Sequence, residues 1–261
     1  MSEPIRFDDG AAYERYMGVW SQRVGEVFLD WLDAPLGQRW LDVGCGNGAF
    51  TVQLAQRCAP SGVHGVDPSE AQLRYARQQA ALQGADFSRG DAMNLPFGDA
   101  SFDVAVMPLV IFFVPQPAVG VAEMVRVVRP GGLIAAYAWD LPGAGFPYET
   151  LRVEMARLGV EMPSAPSPEA SAQTELTRLW SEAGLREVRT RRIEVHRSFA
   201  DFEDYWETVL GSPSAGAKLA AMSGPLIERL RNQLRQRLTP SADGSVRLTA
   251  VANAVAGRCP D

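Results

Sequence analysis

The stretch Leu41-Asp42-Val43-Gly44-Cys45-Gly46-Asn47-Gly48 places glycines at alternate positions directly after a short apolar run. Glycines there let a strand-to-helix turn adopt conformations closed to other residues and let backbone approach a ligand closely. Residues 44–49 also fit G-x-G-x-x-A, a dinucleotide-binding pattern. Three acids recur with the same rhythm. Asp67 stands 23 residues after Gly44 and suits a ribose diol, because its two oxygens can accept from two hydroxyls. Asp42 discriminates between ligands: beside the turn its carboxylate repels a pyrophosphate and attracts an ammonium or sulfonium group. Asp91 suits an adenine amino group, with the Ala92 N–H donating to a ring nitrogen. Each acid taken singly also reads as an N-cap or turn residue.

Elements alternate around these positions. Apolar residues at spacings of three and four, Tyr13, Tyr16, Met17, Trp20, Val24, Val27, Phe28 and Trp31, predict a helix over 11–32 with a break near Gly18. Strands are predicted at 39–43, 63–66, 85–88, 102–107 and 133–139. Helices follow at 49–58, from Pro68 onward and at 118–128, the last stopped by Arg129-Pro130-Gly131-Gly132. This alternation predicts an α/β, doubly wound parallel sheet. Beyond residue 140 the rhythm loosens, with helices at 148–158 and 173–184, a strand at 186–198, helical sequence over 201–238 and a strand at 245–258. The irregular inserts at about 141–171 and 201–243 lie where open sheets build substrate pockets.

Composition narrows the function classes. The chain has 261 residues and a formal charge of −6, from 31 acids against 25 bases, which argues against nucleic acid as a partner. Cys45, Cys58, Cys259 and two histidines lack metal-site spacing, so no metal is expected. No apolar run reaches the length of a membrane span and no basic-then-apolar leader is visible. The expectation is a reduced, soluble, cytoplasmic protein whose oligomeric state the sequence leaves open.

Asp42-Val43-Gly44-Cys45-Gly46-Asn47-Gly48, Gly65-Val66-Asp67-Pro68-Ser69, Gly90-Asp91-Ala92 with Leu95-Pro96-Phe97, Ser101-Phe102-Asp103-Val104 and Arg129-Pro130-Gly131-Gly132 occur in that order. As a set they resemble class I S-adenosylmethionine (SAM)-dependent methyltransferases, in particular the quinone-biosynthesis C-methyltransferase group. The resemblance covers about 40–140. It implies a Rossmann-like seven-stranded sheet with the last strand antiparallel, SAM as cofactor and a small-molecule methyl acceptor. Carried over, Asp42, Gly44 and Gly46, with Cys45 and Asn47 in the same turn, line the methionine end of SAM. Asp67 binds the ribose with Pro68 beside the adenine, Asp91 and Ala92 hold the adenine edge, and Leu109 flanks the cofactor. Met107-Pro108-Leu109-Val110 departs from the Asn/Asp-Pro-Pro-aromatic motif of the amino-methylating nucleic-acid enzymes, which also argues against a nucleobase substrate.

The expected organisation is an N-terminal helical lid (1–38), a SAM-binding core (39–140) and a sheet-completing region carrying lid inserts (141–261). Tyr16, Trp20, Phe146, Tyr205 and Trp206 are the candidate lid and substrate residues, in aromatic-rich surroundings with Tyr148, Phe199 and Phe202 that suit an aromatic or apolar acceptor. His196 is the candidate general base if the acceptor must lose a proton; it reads equally as an exposed strand-end histidine, and His64 as structural. Arg186, Arg189, Arg191, Arg192 and Arg197 fit either an anionic acceptor or a solvated strand edge. Two rival functions stand beside methyl transfer: an NAD(P)-dependent oxidoreductase, from the glycine pattern, and a non-catalytic protein of the same fold.

Overall fold

The computed structural model describes residues 14–212 and 215–260; Tyr13 and the first part of the anticipated lid lie outside the described residues. The strands are β1 (Arg39–Val43), β2 (Gly62–Asp67), β3 (Ala85–Arg89), β4 (Phe102–Pro108), β5 (Val128–Trp139), β6 (Arg186–Phe199) and β7 (Val246–Arg258). They form one sheet in the order β3-β2-β1-β4-β5-β7-β6. β1 to β5 pair in parallel, whereas β7 is antiparallel to both β5 and β6. The doubly wound, seven-stranded expectation holds, with the reversed strand seated inside the sheet.

A π-helical turn (Glu14–Gly18) leads into α1 (Val19–Leu32), so the irregularity falls at the glycine. Trp20, Val24, Phe28 and Leu32 recur every four residues and are buried, as an amphipathic helix on a sheet requires. The helices α2 (Ala49–Arg57), α3 (Glu70–Gln78) and α4 (Pro117–Val127) follow β1, β2 and β4. Pro68 does not open α3. Ser69 is its N-cap, the hydroxyl accepting from the Gln72 amide, because a serine oxygen can satisfy an end amide that proline cannot. β5 begins earlier than expected: Val128 pairs with Phe102, and the ladder resumes with Val104 and Leu133 after a register shift that absorbs Arg129-Pro130-Gly131-Gly132.

Past β5, the first insert contains α5 (Glu149–Arg157) and leads to α6 (Gln173–Glu182). The helical stretch between β6 and β7 is three helices, α7 (Phe202–Leu210), α8 (Gly216–Ala220) and α9 (Gly224–Arg237). The inserts meet where Glu154 of α5, almost wholly buried, pairs with Arg157 at 2.5 Å and with Arg237 of α9 at 3.3 Å. Asn253 of β7 donates to the Ser171 carbonyl (3.0 Å), fastening the end of the first insert to the sheet. No helix among the described residues is long and apolar enough to cross a membrane.

Trp180 of α6 is fully buried and donates its Nε1–H to the Ile134 carbonyl on β5 at 3.1 Å. Trp180→Ala removes a large ring and leaves that contact unmade, so denaturant unfolding should show a loss of about 3–5 kcal/mol.

Candidate active site

The glycine turn is built by backbone bonds to the adjacent strand. The amides of Gly44 and Cys45 both donate to the Val66 carbonyl, at 2.7 and 3.1 Å. Gly44 (φ +75°) has Val110 directly over it, 2.4 Å from where a β-carbon would lie, so only glycine fits. Gly46 (φ +54°) faces open space, with nothing within 4 Å of that position. Close contact below and free space above is the shape of a backbone cradle.

Asp42 is completely buried. Its Oδ2 accepts from the Thr51 hydroxyl at 2.7 Å, while Oδ1 has no hydrogen-bond partner. Burial raises its pKa to about 7, against the lowering effect of Thr51 and with a further rise from Asp67. A buried acid with one unpartnered oxygen is short of a cationic or N–H donor, which the ammonium of SAM's methionine end would supply. Asp67 accepts from the Gly46 amide (3.0 Å, Oδ2) and the Ser69 amide (2.8 Å, Oδ1), and burial raises its pKa. It therefore braces the turn and keeps further lone pairs for hydroxyl donors. The residues present fit the cofactor.

Other residues of the turn face the protein. The Cys45 sulfur packs 2.8 Å from where a β-carbon on Gly65 would lie, and burial raises the pKa of the thiol. Asn47 Oδ1 accepts from the Ala49 amide at the start of α2 (3.2 Å). Pro68 and Asp91 are exposed, and Ala92 is half-buried. Asp91 Oδ1 accepts from the Met93 amide at 2.8 Å, forming a tight turn that leaves its other oxygen for a ligand.

Beside this crevice lies a cavity of about 380 Å³, with Leu109, Phe112, Trp139, Phe146, Leu151 and Met162 among its walls. Leu109 and Trp139 come from the carboxyl ends of β4 and β5, and the others from the segments that follow. Leu109 has a left-handed backbone (φ +59°), held by its amide donating to the Tyr137 carbonyl at 2.7 Å. For a residue with a β-carbon this conformation is strained by about 1–2 kcal/mol. It sits between the crevice and the cavity, one residue from the valine over Gly44.

Of the lid candidates, Tyr16 and Phe146 line the cavity. Tyr16 stacks on Tyr148, also in the wall, with centroids 4.1 Å apart. Trp20, Tyr205 and Trp206 are not among the residues that line it. They are buried behind the wall: Trp20 donates to the Tyr148 hydroxyl at 3.3 Å, and Tyr205 packs against Phe199 and Phe202. Their apolar area is used in joining the inserts to the sheet. His196 is likewise not among the residues that line the cavity. Its Nδ1 shares a hydrogen with Thr249 of β7 at 2.9 Å, a cross-strand pair.

The arginines divide. Arg189 donates to the Trp31 and Leu32 carbonyls, while Arg197 donates to the Tyr16 carbonyl and the Tyr148 hydroxyl. Arg186, Arg191 and Arg192 are exposed. Sequence reasoning missed Phe112, Phe113, Glu149, Arg152 and Met162 in the wall. The run Ile111-Phe112-Phe113 reads as core, and no spacing signal marks the others.

Sheet order and strand direction are those of the class I methyltransferase fold; a SAM cofactor would be held by the glycine turn, Asp42 and Asp67. Residues 41–136 match the family described as "Methyltransferase domain". The chain is also similar to part of several curated proteins, two of which follow. The demethylmenaquinone methyltransferase of Staphylococcus aureus (strain JH9) is 33% identical over 139 residues, covering 52% of this chain and 56% of that protein. The biotin biosynthesis bifunctional protein BioHC of Cellvibrio japonicus (strain Ueda107) is 42% identical over 123 residues, covering 47% and 24%. The chain thus spans about half the length of the first and about a quarter of the second. Among solved structures, Haemonchus contortus phosphoethanolamine N-methyltransferase 2, in complex with S-adenosyl-L-methionine, superposes with a TM-score of 0.58 at 20% identity, over 96% of this chain and 56% of that one. This likeness is one of fold.

The raised pKa of Asp42 makes a signed prediction. Below the ordinary carboxylate range the group is protonated in both folded and unfolded chains. As pH rises toward 7 only the unfolded chain ionises freely, so stability falls, by on the order of 4 kcal/mol once the pH exceeds 7. Thermal melts of cofactor-free protein from pH 5 to 8.5 should therefore show wild type losing more than Asp42→Asn, which keeps an oxygen for Thr51.

Proposed function

We propose that the chain transfers the methyl group of SAM to a small, aromatic or apolar acceptor seated in the cavity beside Leu109. The observation that carries this reading is the position of the cavity, which is lined by Leu109 and Trp139 at the carboxyl ends of β4 and β5, one residue from the valine packed on Gly44, and is walled mainly by aromatic and aliphatic side chains. The cofactor, when bound, supplies an electrophilic methyl on a sulfonium. What the chain adds is placement and dryness. Asp42 would take the ammonium end, Asp67 the ribose hydroxyls and Asp91 the adenine edge, while the Leu109 backbone holds one wall at the boundary between cofactor and acceptor.

Displacement at a methyl group needs the nucleophile in line with carbon and sulfur, and alignment can supply much of the rate. Apolar walls from Phe112, Phe146 and Leu151 would exclude water from a reaction whose positive charge disperses as it proceeds. No base is assigned, since His196 is outside the cavity. The acceptor reading is compatible with the S. aureus relative, whose name denotes a quinone precursor. The buried Asp42 speaks against the pyrophosphate of a nicotinamide dinucleotide.

Calorimetric titration with SAM and with S-adenosylhomocysteine, beside NAD(H) and NADP(H), tests the cofactor. Micromolar affinity for the first pair and none for the second is expected. Asp67→Ala should weaken SAM binding by about 1.5–3 kcal/mol, and unchanged affinity would remove Asp67 from the site. Label transfer from methyl-labelled SAM to a panel of phenols, quinols and aromatic acids then tests turnover; binding without transfer to any acceptor would favour the non-catalytic alternative.

A further inference from the structure

The acceptor cavity is not uniformly apolar. Glu149 and Arg152, one turn apart on α5, both line it, as does Glu169 from the segment before α6. Arg152 grips Glu149 through two of its three nitrogens, Nε to Oε2 at 2.8 Å and Nη2 to Oε1 at 2.5 Å. Its third nitrogen, Nη1, has no hydrogen-bond partner among the described residues. The Tyr148 hydroxyl, by contrast, is already committed, donating to the Tyr16 carbonyl at 2.9 Å and accepting from Trp20 and Arg197. The wall therefore offers a guanidinium edge whose position is fixed by the Glu149 fork.

Charge decides what that edge can read. Glu149 and Glu169 against Arg152 leave the wall with one net negative charge. A carboxylate on the acceptor would meet one donor nitrogen and two carboxylates, a poor exchange for its hydration. Arg152 is about half exposed, and a pure hydrocarbon would cover the part of it that faces the cavity without offering a partner. An uncharged oxygen avoids both penalties.

We propose that Arg152, clamped by Glu149, is a specificity-determining residue that selects an uncharged acceptor carrying a carbonyl or hydroxyl oxygen on its aromatic or apolar body. The inference rests on the reading of the cavity as the acceptor pocket. It predicts discrimination by chemical class: neutral ketones, quinones and phenols above carboxylates of the same shape, and above hydrocarbons.

The test uses full-length protein saturated with S-adenosylhomocysteine and three probes of nearly equal size: 2-acetylnaphthalene, 2-naphthoate and 2-ethylnaphthalene. Calorimetry should show the ketone binding at least about tenfold more tightly than either of the others. Arg152→Met should bring the ketone down to the level of the hydrocarbon without changing S-adenosylhomocysteine affinity. Glu149→Gln, which removes one negative charge and loosens the clamp, should raise naphthoate affinity about tenfold. Far-ultraviolet circular dichroism and melting temperature confirm that both variants are folded. Tighter binding of naphthoate by wild type, an unchanged ketone preference in Arg152→Met, or no binding of any probe would each overturn the proposal. Failure to bind S-adenosylhomocysteine would instead overturn the methyltransferase reading beneath it, so the two failures are distinguishable.

Discussion

Val246–Arg258 enters the sheet antiparallel between β5 and β6, bonded along Leu133–Trp139 on one side and along Arg186–Phe199 on the other. Because β7 is antiparallel to both neighbours, β6 runs in the same direction as β5. The chain therefore leaves β5 and β6 at the edge where β1, β2 and β4 also end. Everything with chemical potential gathers along that edge: the glycine turn after β1, the acid closing β2, the strained leucine after β4 and the inserts after β5 and β6. Had β7 occupied an outer position, the second insert would have had no reason to fall beside the first.

The inserts are then fixed by few but buried contacts. The Tyr148 hydroxyl joins the N-terminal turn to the first insert by donating to the Tyr16 carbonyl, and Arg197 reaches the same pair from β6. Glu154 unites α5 with α9 through its two arginines. The carboxylate is nearly buried whereas the arginines are about half exposed, so losing the acid and losing one arginine are unequal events: either arginine can return to water, but the acid without them cannot. These contacts hold α5, whose first turn presents Glu149 and Arg152 to the cavity, against the sheet.

Much of the core was legible because its signals are local. Alternating periodicity and the glycine turn each reflect constraints that act within a few residues, and β1 to β4 lie within a residue or two of where those signals put them. The register shift in β5 was not legible, because Val128 pairs with Phe102 across the sheet and nothing in Arg129-Pro130-Gly131-Gly132 says that the strand has already begun. The cavity wall was the least readable part. Tyr205 and Trp206 carry the same aromatic character as Tyr16 and Phe146, and only the packing of α7 decides which rings face space and which face protein. Thr51, the partner of Asp42, is an ordinary helical threonine by every local measure. His196 looked chemically able by type, yet its neighbour across the strand claims it.

The placement of β7 also has a meaning in time. Of the seven strands it is the last to be synthesised, and it is the one that β6 pairs with along its whole length. While the ribosome is still adding residues, β1 to β5 can assemble by neighbouring parallel pairings, but β6 has emerged with no ladder to join. Until then the apolar edge of β5 along Leu133–Trp139 and the arginine-rich β6 both lack their β7 partner, and charges of the kind β6 carries discourage edge-to-edge pairing. The sheet between the two inserts is therefore complete only once the final strand is in place.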